Sequence, residues 1–168
     1  MREYDHFVEC PGCGLKLHHR HLPLLENYKA SGECYEKFSE LSGYTISKQD
    51  LNFIHQHVID TYAAQHSGNG MKPITTAFSL IGLYYAIEKG FNGRQVQRVH
   101  MLLSRKKYQW KEFEAPDKSA YALTVLDVLR QKPGESRDQM IRKWMMDVWE
   151  SWEHQHDRVK EICQTLLK

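Results

Sequence analysis

The chain has 168 residues, 41% apolar and 26% charged, with a net charge of +2. That length carries a real hydrophobic core, and the near balance of acids and bases argues against a dedicated nucleic-acid binder. The longest nearly uncharged apolar run, ITTAFSLIGLYYAI at 74–87, falls short of the roughly 20 residues a membrane-spanning helix needs. No apolar leader follows the polar start MREYDHFVE, so the expectation is a cytoplasmic protein with reduced thiols.

Residues 1–31 read as an irregular N-terminal lobe. Within it VECPGCGLKL has the look of a tight hairpin with Cys10 and Cys13 at its turn. From residue 32 the pattern turns helical. Cys34, Phe38 and Leu41 predict a short helix ended by Gly43. Ser47 then reads as an N-cap for a helix running to about His66, with Leu51, Ile54 or His55, Ile59, Tyr62 and His66 facing inward. HSGNGMKP at 66–73 stops it. A helix over about 74–89 is apolar nearly all round and belongs in the middle of a bundle.

Further helices are expected over about 93–104 and 119–130. The last is read as one long helix, with Ile141, Trp144, Met145, Val148, Trp149, Trp152, His156, Val159, Ile162 and Leu166 at three-and-four spacing. The expected fold is all-α: a single domain, 1–168, in which about five helices (32–168) form a bundle joined to the Cys-bearing lobe.

Two thiolates spaced C-x2-C can grip one tetrahedral ion from a single turn, and the glycines let backbone N–H groups offset their charge. Cys34, just after Gly32 at the start of a helix, is the candidate third ligand beside Cys10 and Cys13. The bland alternative is a plain turn with Cys34 as a small buried residue. A redox CxxC fits less well, because GLKLHHRHLP is a poor helix opening. Zinc is the metal this donor set suggests.

The fourth ligand is open at this stage. His66 ends a helix beside a Gly-rich loop and ranks ahead of His156, one turn past Trp152; His55 shares a helix face with His66. Cys163 reads first as a core thiol and second as the fourth donor of an all-cysteine site. His18, His19 and His21 read as solvated surface. A buried Asp60 needs a partner and can orient a metal-bound histidine, or serve as a cap or in an ion pair.

CPGCG, GECYEKF, DTYAAQHSG and WMMDVWESWEHQH occur in that order along the chain. Together they resemble a bacterial family, domain of unknown function 5946, over about Cys10 to His156. The resemblance supplies positions rather than a reaction. It implies that Cys10, Cys13 and Cys34 are the family's three cysteines. It also implies that His55, Asp60 and His66 are polar positions of its central helix, and that Trp149, Trp152 and His156 form its terminal pattern. Two residues depart from that pattern: Ser67 stands where the family usually has proline, and Ser79 where it tends to have histidine. Cys163 matches no family cysteine.

Three functions follow. The first is a structural zinc protein with Cys10, Cys13, Cys34 and one histidine, acting by binding a protein partner. The second is a metal-dependent enzyme resembling the DinB-like bundles, using His55, His66 and His156 with Asp60 behind them. Ser79 and the good thiolate set tilt the reading to structure and away from an enzyme. The third is nucleic-acid binding through Arg94, Arg98, Arg105, Lys106 and Lys107 with Tyr108 and Trp110 as stacking platforms. A solvated helix face is the simpler account of those charges. GNG at 68–70 lacks the lysine–serine pair of a phosphate loop.

Overall fold

The computed structural model describes residues 6–68 and 70–168. MREYD, at the start of the expected lobe, and Asn69 of GNG lie outside the described residues. The Cys-bearing turn joins two short antiparallel strands, β1 (Phe7–Glu9) and β2 (Lys16–His18), in the register Phe7 opposite His18 and Glu9 opposite Lys16. The hairpin expectation therefore holds. The rest is mostly helical, with seven α-helices among the described residues against the about five expected.

Helix α1 spans Gly32–Ser47 and begins where the Ser31 hydroxyl accepts from the Cys34 N–H. It does not end at Gly43. Cys34, Phe38, Leu41 and Thr45 keep one buried face across that position. Gly43 sits on the open side with nothing near it, so its cost of about 1 kcal/mol is borne by the buried face. Ser47 is consequently the last residue of α1 rather than an N-cap, and its hydroxyl bonds back to the Tyr44 carbonyl.

Helix α2 is His55–Gln65, shorter than expected. The connector before it turns through left-handed backbone at Gln49 and Phe53 (φ 50° and 52°). Just ahead of the helix, the Asp50 carboxylate accepts from the Ile54 N–H. Leu51, expected to face inward, is 91% exposed.

Helix α3 (Pro73–Glu88) packs against α2, as well as α4 (Gly93–Ser104), α6 (Glu135–Ser151) and α7 (His156–Leu166). That is the central place its all-round apolar character demands. Asn92 and Gln95 form a capping box at the start of α4.

The segment expected to be helical over 119–130 contains a 3-10 turn at Lys118–Ala120 and α5 (Val125–Leu129). The backbone N–H groups of Ala122 and Leu123 bind the Asp147 carboxylate instead of a helix ladder. Thr124 and Asp127 then set the start of α5 with a capping box.

The long last helix is broken. A 3-10 turn at Glu153–Gln155 separates α6 from α7. Its corner is pinned by the fully buried Trp152 and by His154, whose Nε2–H donates to the Glu114 carbonyl. A tight turn of this kind preserves the three-and-four rhythm of buried side chains, so periodicity runs through the break unchanged. One cluster of buried side chains runs from Cys10 to Cys163 and ties the hairpin turn to the helices.

Candidate metal centre

The hairpin turn is tied off by two backbone bonds, Gly14 N–H to the Cys10 carbonyl (2.9 Å) and Cys10 N–H to the Leu15 carbonyl (2.8 Å). Gly14 takes a left-handed φ of 77° that suits glycine. Gly12 is needed for a different reason. A Cβ there would lie 2.1 Å from the Lys29 carbonyl oxygen and 2.8 Å from Cδ2 of His66. The turn therefore sits directly on the end of α2, where Lys29 N–H also bonds the His66 carbonyl (2.8 Å).

Three elements thus deliver four side chains to one point. Cys10 and Cys13 come from the hairpin turn, Cys34 from the first turn of α1, and His66 from the residue after α2. Their ligand atoms all lie within 4.8 Å of one another, and all four residues are buried. Cys13 Sγ is 3.8 Å from Cys34 Sγ, which is 3.5 Å from His66 Nε2. Such a group can hold a metal ion.

The surroundings prepare each donor. His66 Nδ1 is 2.8 Å from the Tyr62 carbonyl. A carbonyl only accepts, so Nδ1 carries the proton and Nε2 presents its lone pair to the cysteines. The His66 ring is held by stacking on Tyr62 (centroids 3.9 Å), which stacks in turn on Phe38 (4.1 Å). The Tyr62 hydroxyl donates to Cys34 Sγ at 3.4 Å. Burial, followed by the nearby Cys34, raises the phenol's pKa, so it remains a donor. Cys34 also lies at the N-terminal end of a helix, where the backbone dipole favours negative charge. Further back, Gln65 anchors the end of α2 by accepting from Trp144 Nε1–H and donating to the Leu123 carbonyl.

The three thiols are coupled. S–H donation from Cys13 and Cys34 pulls the Cys10 thiol well below its usual range. The bond to Cys10, with other contacts and burial behind it, pushes Cys13 and Cys34 well above theirs. Three thiolates this close together need a cation among them. All four cysteines of the chain are free of disulfides.

The other sequence candidates lie elsewhere. His55 is at the far end of α2, about 16 Å from His66 along the helix, with Nδ1 2.8 Å from the Thr45 hydroxyl. His156 stacks on Trp149 (centroids 3.7 Å), and its Nε2–H donates to the Trp149 carbonyl (2.7 Å). The set His55, His66 and His156 is therefore not assembled: each ring is held by a different part of the fold. Cys163 is a core thiol on α7, pushed up to about 11 by burial. His18, His19 and His21 are exposed, with His18 against Phe7 and His19 against His21. Trp110, expected as a stacking platform, is edge-on to Phe78.

Asp60 is buried but does not face the cysteines. Gln56 Nε2 reaches both Asp60 Oδ1 (3.2 Å) and His100 Nδ1 (3.4 Å), while Asp60 Oδ2 has no hydrogen-bond partner. Sequence reasoning missed His100, which borders the apolar face of α4 and carries no distinguishing signal. It also missed the roles of Lys29 and of the Tyr62 hydroxyl. The latter was within reach, because Tyr62 lies one turn before His66 on the same helix.

A family model matches residues 8–153. The chain belongs to the family of unknown function DUF5946. The DUF5946 match contains Cys10, Cys13, Cys34 and His66, and stops short of His156 and Cys163. No curated protein and no solved structure matches the chain.

Proposed function

We propose that Cys10, Cys13, Cys34 and His66 bind one zinc ion as a closed structural site, and that the protein acts in the cytoplasm by binding a protein partner. In this reading residues 1–168 are a single domain, with the metal fastening the lobe 1–31 to the helical bundle 32–168. The observation that carries the zinc reading is the spacing of the donors. Zinc–sulfur bonds of about 2.3 Å and zinc–nitrogen bonds of about 2.0 Å at tetrahedral angles require S···S edges of about 3.8 Å and S···N edges of about 3.5 Å. The separations of Cys13 Sγ from Cys34 Sγ and of Cys34 Sγ from His66 Nε2 are 3.8 Å and 3.5 Å.

Structure rather than catalysis is favoured by the donor count. A catalytic zinc keeps a position for water or substrate, whereas four buried protein donors fill a tetrahedron. The alternative, a DinB-like enzyme using His55, His66 and His156, is disfavoured because His55 and His156 are bound to Thr45 and Trp149.

Elemental mass spectrometry of the purified protein tests this reading. About one zinc per chain is expected, lost in His66→Ala and retained in His55→Ala and His156→Ala. A metal-free, stable protein with reactive thiols refutes it. Retention in His66→Ala leaves three cysteines and an open position, which would move the reading to catalysis.

A further inference from the structure

Away from the cysteines lies a cleft of about 610 Å³, bounded by the end of α1, the α1–α2 connector, the α3–α4 turn and α6. That size suits a small organic ligand. One wall is apolar, with Ile54, Ile87, Phe91, Met145 and Met146. The lining also carries polar groups, and most are already bound. Lys48 pairs with Asp138, which also accepts from the Tyr44 hydroxyl. Asp50 is turned to the Ile54 N–H.

Arg142 is the exception. It is exposed at the rim, on α6, and forms no hydrogen bond or ion pair among the described residues. Beside it His57 reaches the cleft from α2, with Nδ1 buried and without a partner. Burial, reinforced by the positive charge of Arg142 and partly opposed by the carboxylate of Asp50, holds His57 down to about 4, so the imidazole is neutral and Arg142 is, among the described residues, the one cation of the cleft without a carboxylate partner.

The backbone at the mouth is unusual in the same place. Gln49 and Phe53 take left-handed φ values, each costing a non-glycine residue on the order of 1 kcal/mol, and such strain concentrates at ligand sites. The connector is locked in that shape. Arg94 stacks over the Phe53 ring (4.4 Å), and the Phe53 carbonyl presses on Gly93, where a Cβ would lie 1.8 Å away. It carries Leu51, the most exposed large apolar side chain among the described residues, next to the cleft residues Asp50 and Asn52.

We propose that this cleft binds a small amphipathic carboxylate, its hydrocarbon body along Ile54, Ile87, Phe91, Met145 and Met146 and its carboxylate on Arg142. A guanidinium with all its donors free matches a carboxylate in a fork-to-fork geometry. An ammonium head in the same place would meet like charge. The site is separate from the four converging ligands and stands whether or not they hold zinc.

Isothermal titration of the full-length protein with octanoate, 1-octanol and octylamine tests the proposal. Octanoate is expected to bind best of the three. Arg142→Gln, a surface change that leaves the fold intact, should weaken octanoate at least about tenfold and leave octanol unchanged. Met146→Gln, also at the exposed rim, should weaken all three by removing apolar wall without adding charge. Failure of octanoate to bind at millimolar concentration overturns the proposal. So does binding that ignores both substitutions, or octylamine binding as tightly as octanoate.

Discussion

The fold treats two buried polar groups of the α2 segment, Asp60 and His66, in opposite ways. At the segment's C-terminal end His66 meets three cysteines, and its two ring nitrogens have defined tasks, one on the Tyr62 carbonyl and one toward Cys34. In its middle Asp60 is equally buried, yet one carboxylate oxygen is left without a partner. The oxygen is wedged at Gly82, where a Cβ would lie 2.0 Å from it, and His100 Nε2 stands 3.8 Å away with its proton already on the Phe78 carbonyl. A buried polar cluster is stabilising when its donors and acceptors converge and costly when one is left over. The first region has the geometry of a binding site, while the second stores unfavourable energy.

The largest expected effect lies in the first region. Cys34→Ser should abolish metal binding and lower stability by about 3–5 kcal/mol, the scale of a broken buried charge cluster, measured by denaturant unfolding with zinc present. A loss confined to below about 1 kcal/mol would mean that the cysteines are ordinary core residues. Next comes Gly82→Ala, which drives a methyl group into the Asp60 carboxyl and should cost about 1–3 kcal/mol without changing metal content. If metal is lost as well, the two regions are one unit rather than two.

Tyr62→Phe removes the hydroxyl that supports Cys34. It should weaken metal affinity about tenfold or more in competition with a chelator, at a stability cost of about 0.5–1.5 kcal/mol. An unchanged affinity would reduce the Tyr62 contact to packing. The smallest effect is a slope. Burial holds the Asp60 carboxyl well above its ordinary range, and the bond from Gln56 only partly opposes it. The folded chain therefore keeps a proton that the unfolded chain releases above about pH 4. That contribution to stability is full below the ordinary carboxyl pKa and is lost as pH rises through the folded value. Asp60→Asn should flatten this decline in unfolding free energy with pH. An identical slope in the two proteins would show that Asp60 ionises freely.

Much of this molecule was legible from the chain alone, for identifiable reasons. A C-x2-C with one glycine inside it and one after it, Gly12 and Gly14, needs a tight turn, and the structure has a hairpin there. The apolar character of 74–87 requires a central helix, and α3 occupies that position. The helix expected over about 93–104 is α4, Gly93–Ser104. These features depend on a few adjacent residues, and local chemistry decides them. Helix ends were less legible, because distant contacts set them. Gly43 is passed over since the buried face continues to Thr45, and Ala122 and Leu123 stay out of a helix because Asp147 binds their N–H groups. The corner at Trp152 keeps the spacing of a straight helix, so no pattern reveals it. Three cysteines and several histidines were visible as candidates. Only the tertiary structure selects among the histidines, by setting the hairpin turn on the end of α2 through Gly12 and by giving His55 and His156 other partners. Residue types determine which atoms can bind a metal, and the packing of three elements distant in sequence decides which of them meet.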